Sequence, residues 1–180
     1  MKKLSVFLLS ALTLLLLVSS ASAKKGSTNY AQDLINTRSV IVWVGGKRIG
    51  DLMVGADAKL QFQFIDKELS RAIYSEPDRF PDTIVWNATY IDKASKGKCN
   101  LVLLIYRALN RWTFDPSLLT INGAPIAQNR MYTSLLSKET GSLAMDTQDV
   151  LAFGVPRSES KSGTVITFGY GDYTAEFTVP

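Results

Sequence analysis

Cys99 is the one thiol among 180 residues, and it sits in "KASKGKCN" beside Lys96 and Lys98. Neighbouring cations favour the thiolate, so this spacing admits a reactive or intermolecular thiol. A plainer role fits too: a small side chain at the start of the apolar run "LVLLIY", 101–106. One cysteine allows neither an internal disulfide nor a cysteine-rich metal site. The chain has no histidine. That removes Ser-His-Asp and Cys-His catalysis, His-ligated zinc and imidazole acid–base chemistry. No G-x-S-x-G elbow occurs, and no S-x-x-K precedes a matching helix. Asp146 and Asp149, with Glu139 nearby, lack the spacing and glycine of an EF-hand loop and read as solvated loop acids. No catalytic residue, metal ligand or cofactor is expected.

Residues able to hold a partner are easier to find. In "SEPDRFPDT", 75–83, Pro77 and Pro81 stiffen a loop that carries Arg79 and Phe80 between them. A large apolar residue on a rigid polar loop anchors a partner, or folds back as a plug on the end of the domain. The three tryptophans suit sugar stacking. Trp43 and Trp86 lie on apolar strand faces and read as core, while Trp112, after Arg107 and Arg111, has the better chance of exposure.

These residues need elements to position them. "TVITFGYGDYTAEFTVP" places Gly171-Asp172 between two alternating runs. A turn there sets Tyr170 opposite Tyr173, Phe168 opposite Ala175 and Ile166 opposite Phe177, with Thr174, Glu176 and Thr178 on the other face. If the last strand is an edge, Glu176 is the charge that discourages indiscriminate pairing, which makes it a candidate contact residue. "SLLTINGAPIA" carries Asn122-Gly123, and the pair reads as a hairpin corner with Leu119 opposite Ile126. Further strands are expected at 39–44, ending at Gly45-Gly46, and at 59–65, 83–91, 101–106, 111–114 and 150–155. Helix is expected at 66–77, with Asp66 as N-cap and Pro77 as stop, and more weakly at 29–38. Residues 131–141 fit helix and strand equally. "PRSESKSG", 156–163, reads as a solvated connection.

Many short strands and one or two short helices predict an all-β fold, an antiparallel β-sandwich of immunoglobulin-like type, with a small β-barrel as the alternative. The N-terminus joins Lys2 and Lys3, an apolar run from Leu4 to Val18, and Ala21-Ser22-Ala23. That order is a secretory signal peptide over 1–23, which leaves a single β-sandwich domain over 24–180. Without Lys2 and Lys3 the chain keeps 18 Lys+Arg against 16 Asp+Glu, so no affinity for nucleic acid is implied. No transmembrane span is expected in the mature chain.

The expected function is an exported, non-enzymatic binding or assembly module of the bacterial cell envelope. It would recognise a protein, a glycan or another copy of itself through loops or an edge strand, with Arg79, Phe80, Trp112 and Glu176 as contact residues. The alternative is a secreted hydrolase that works without histidine, through Ser and Lys or through carboxylates.

Overall fold

The computed structural model describes residues 27–180. The signal peptide read over 1–23 lies outside the described residues. Helix α1 (Ser27–Thr37) leads into a long hairpin of β1 (Ser39–Ile49) and β2 (Leu52–Ile65). Three short helices follow: α2 (Lys67–Ser75), α3 (Asp82–Asn87) and α4 (Tyr90–Lys96). Then come β3 (Cys99–Ala108), β4 (Trp112–Phe114), β5 (Leu119–Ile121), β6 (Ala124–Pro125), β7 (Gly141–Leu143), β8 (Gln148–Pro156), β9 (Val165–Tyr170) and β10 (Tyr173–Thr178). The described residues are mostly β. Two four-stranded sheets run β1-β2-β3-β8 and β10-β9-β5-β6, beside a small β4-β7 pair. Every pairing is antiparallel, and no sheet closes into a barrel.

Residues 101–106 are apolar throughout because β3 is covered on both faces. Val102, Leu104 and Tyr106 join Phe62, Phe64, Leu151 and Phe153 in a cluster shared with Leu119, Ile166, Phe168 and Phe177 of the second sheet. Leu101 and Leu103 point the other way and pack with Leu34, Leu69, Ile73, Ile84 and Ala94 of the helices. Two-residue alternation along one strand thus feeds two cores. Burying each such Leu or Phe stabilises the fold by about 1.5–3 kcal/mol.

Both turn-defined hairpins form in the expected register. Tyr170 pairs with Tyr173, Phe168 with Ala175 and Ile166 with Phe177. Asn122 (φ 51°) and Gly123 (φ 77°) both take positive φ between Ile121 and Ala124, as a type I′ turn requires. Asp66 caps α2, its carboxylate accepting the Leu69 N–H at 2.8 Å.

The helix layer is larger than expected, with four α-helices among the described residues. Residues 83–91, read as a strand, form α3 and the start of α4. Ile84 and Ala88 are spaced by four, a multiple of two that is also one helical turn, so they satisfy both periods. Ile84 in α3 and Ala88 at its C-cap are both buried, while Trp86, read as core, turns out to solvent at 72% exposure. Residues 131–141 are neither long helix nor long strand. They hold a single bridge from Met131 to Phe153, a one-turn 3-10 helix at Leu135–Ser137 and the first residue of β7.

Candidate functional site

The two strands expected to stop near residue 44 and start near residue 59 run much further. β3 accompanies β2 only to the Ala58–Ala108 pair. Beyond it, β1 and β2 pair with each other alone, Gly45 with Ala56, Lys47 with Val54, Arg48 with Met53 and Ile49 with Leu52. The result is a two-stranded arm that leaves the sheet. Its start is bent. The register slips at Val44/Gly45, leaving Asp57 as the extra residue, and such a bulge re-aims the strands beyond it. Gly46 (φ 76°) could carry no side chain, because a Cβ would sit 2.7 Å from the Ala56 nitrogen and the Val54 oxygen. Pins hold the base of the arm: the Asp57 carbonyl accepts the Leu109 and Asn110 N–H groups, and the Asn110 amide donates to the Ala56 carbonyl at 3.2 Å.

The tip is apolar and exposed. Ile49 is 61% exposed, Leu52 70% and Val54 51%. Cross-strand pairing places these three and Lys47 on one face of the ribbon, with Arg48 and Met53 on the other. Among the described residues neither Lys47 nor Arg48 has a salt-bridge partner. An isolated two-stranded ribbon is marginal in water, and these aliphatic side chains leave half or more of their surface exposed.

A second apolar surface, with a carboxylate in its lining, lies on the helix layer. Between α2 and α3 a cleft of about 460 Å³ is lined by Ile73, Tyr74, Pro77, Val85, Ala88 and Asp92. The Tyr74 hydroxyl donates to the Ala88 carbonyl at 3.4 Å. Burial, and then the Asp92 carboxylate, raise this phenol above its ordinary pKa. Trp86 stands exposed between the cleft residues Val85 and Ala88 in sequence. The chain around the cleft also carries exposed Asp78 and Asp82.

The four residues singled out from the sequence do not converge. Arg79 is exposed and pairs with Glu76 one turn away. Phe80 turns inward and packs in the helix-side core. Trp112 is half-buried against Phe114 and Tyr170, with ring centres 5.4 and 5.2 Å away. Glu176 is exposed on β10, the terminal strand of its sheet in hydrogen-bonding order, where β1 of the other sheet lies alongside. The loop acids are separately engaged, Asp146 with Arg107 at 2.6 Å and Asp149 with Lys138 at 2.7 Å. Cys99 is buried at the head of β3. The arm escaped notice although "IGDL" has the same Gly-Asp dipeptide between apolar residues as the C-terminal hairpin.

No protein-family model, curated protein or solved structure matches the chain. Among the described residues no helix is long and apolar enough to cross a membrane.

Proposed function

We propose that this chain is an exported, non-enzymatic assembly module of the bacterial cell envelope, whose working surface is the β1–β2 arm. The fold is read as an antiparallel β-sandwich with a helix layer on its outer face, a departure from the plain immunoglobulin-like arrangement. One observation carries the functional reading: a bent, base-pinned ribbon presents Ile49, Leu52 and Val54 to water with no third strand paired to it among the described residues. Such an exposed patch fits a groove on another chain.

The best complement within the molecule is the α2–α3 cleft, which is apolar at its floor and has Asp92 in its wall. Lys47 and Arg48 supply the opposite charge, so the partner is a second copy. The arm of one copy enters the cleft of the next. A head-to-tail contact of this kind repeats, giving a ring where the rotation closes and an open chain where it does not. The charge pairs steer and select, while the aliphatic tip supplies most of the affinity.

Light scattering and sedimentation of the mature chain over a range of concentrations test this. Association is expected to rise with concentration. It is expected to be lost in the Ile49→Asp/Leu52→Asp double variant with the circular dichroism spectrum unchanged, and weakened in Asp92→Lys. Restoration by mixing Asp92→Lys with Lys47→Glu/Arg48→Glu would fix the partner faces. A wild-type chain that stays monomeric at all concentrations removes the self-assembly reading.

A further inference from the structure

A second feature, on a different part of the molecule, is cationic. Where β3 begins and β8 ends, a cavity of about 720 Å³ opens between the C-terminal end of α4 and the one-turn helix Gln128–Arg130. Lys93, Lys98, Arg130 and Arg157 line it, along with Asn129 and Tyr132. Among the described residues one carboxylate pairs with these four charges, Glu159, and its approach to Arg130 is a loose 3.9 Å. Lys93, Lys98 and Arg157 have no salt-bridge partner among the described residues.

Neutral groups position the cations instead. The Arg157 guanidinium donates to the Ser95 hydroxyl at 3.0 Å. The Lys93 ammonium lies over the Tyr132 ring, 5.4 Å from its centre. Lys98 occupies a left-handed backbone position, φ 54°, that glycine would take without strain, and its carbonyl accepts the Arg157 N–H at 3.0 Å. A scatter of solvated lysines needs no such framing.

The floor is also built. Tyr132 is tied to β8 by its N–H, which donates to the Ala152 carbonyl at 2.8 Å. Its hydroxyl occupies space left by the missing side chain of Gly154, next to Cys99. Burial first, and then the Cys99 thiol beside it, push this phenol up to about 12. At neutral pH it is an uncharged O–H packed between Gly154 and the Cys99 side chain.

We propose that this cavity binds a small phosphomonoester. Three cations without a salt-bridge partner among the described residues match a dianion better than a monocarboxylate. Arg157 and Arg130 offer planar forks that fit phosphate oxygens, and the lysines add point charge. The cavity is far larger than a bare phosphate ion, and falls in the size range of small-molecule sites, so the ester carries an organic part.

Titration calorimetry of the full mature chain at low salt tests this with glycerol 3-phosphate, glucose 6-phosphate, inorganic phosphate and acetate. At least one ester is expected to bind saturably and more tightly than inorganic phosphate, acetate not to bind, and affinity to fall with salt. Lys98→Gly removes a cation while easing the backbone, so it should fold as wild type. It and Arg157→Gln are each expected to weaken binding about ten-fold, as loss of one charge-assisted contact does. Arg71→Gln, a charge change on α2 away from the cavity, should leave affinity as it was. The proposal is overturned if neither ester binds, if acetate or inorganic phosphate binds as tightly as the esters, or if Lys98→Gly and Arg157→Gln bind like wild type.

Discussion

The Arg38 guanidinium is buried against the Asp66 carboxylate, Nε to Oδ2 at 2.8 Å, while the other Asp66 oxygen accepts the Leu69 N–H and starts α2. One carboxylate therefore joins the end of β2, the start of β1 and a helix cap. The Gln63 amide reinforces the junction by donating to the Ile35 and Arg38 carbonyls. Asp66→Ala leaves the buried Arg38 only the largely solvated Glu68 as a carboxylate partner and removes a cap. Its expected loss is about 3–5 kcal/mol in urea unfolding. Asp66→Asn keeps the cap and should lose about 1 kcal/mol less. Glu68 also reaches Arg38 but is largely solvated, so Glu68→Ala should stay within about 1 kcal/mol. A harmless Asp66→Asn would show that Arg38 does not depend on this charge.

Phe177 packs on Phe64 and Phe168, with ring centres 5.4 and 6.2 Å away, and Thr178 faces solvent on the same strand. Phe177→Ala is expected to destabilise by about 3–5 kcal/mol. Thr178→Ala should stay within about 0.5 kcal/mol. Equal losses would contradict the register of β10.

Gly154 lies under the Tyr132 hydroxyl, and a Cβ there would also come within 2.9 Å of the Cys99 Cβ. Gly154→Ala is expected to destabilise by about 1–3 kcal/mol through overpacking. In a Tyr132→Ala background the added loss should shrink by about 1 kcal/mol, because the colliding ring is gone. Additive losses across that double-mutant cycle would place the strain elsewhere.

Two buried tyrosines and a half-buried one set an alkaline limit. Burial lifts the Tyr106 phenol above the ordinary range, with Asp149 and Glu139 adding to the effect, and raises Tyr170; Tyr132 reaches about 12. The folded state therefore holds protons that the unfolded chain releases near pH 10, the ordinary phenol value. Stability from these groups is complete below about pH 10 and declines as pH rises from there toward the folded values. Urea unfolding between pH 8 and 12, with phenolate absorbance followed in parallel, should show midpoints falling only above about pH 10. Tyr132→Phe should reduce the slope. A midpoint flat to pH 12 would contradict the raised values.

Local signals carried much of the fold. Gly171-Asp172 and Asn122-Gly123 name their turns because few residues tolerate positive φ, and each turn sets the register of the strands it joins. Asp66 names the start of α2 because its carboxylate reaches a backbone N–H three residues on. The apolar run 101–106 announced a strand buried on both sides. Of the residues chosen for binding, the sequence showed their types but not their surroundings. Phe80, chosen for binding, is buried, while Trp86, read as core, is exposed.

The sequence by itself determined the β-rich antiparallel character, the two hairpin registers and the absence of histidine and paired-cysteine chemistry, since each follows from residue identity or from neighbours a few positions apart. Only the tertiary structure decided whether 83–91 would be strand or helix. Ile84 and Ala88 suit either, and the choice fell to the helix that buries them on the outer face of the first sheet. It also decided that β1 and β2 outrun β3, which turns an ordinary Gly-Asp hairpin into a projecting arm. Lys93, Lys98, Arg130 and Arg157 are spread over 65 positions of sequence, numbered 93 to 157, and no local pattern joins them. They share one cavity because β3 and β8 pair antiparallel, which brings Cys99 opposite Pro156 and the flanking cations with them.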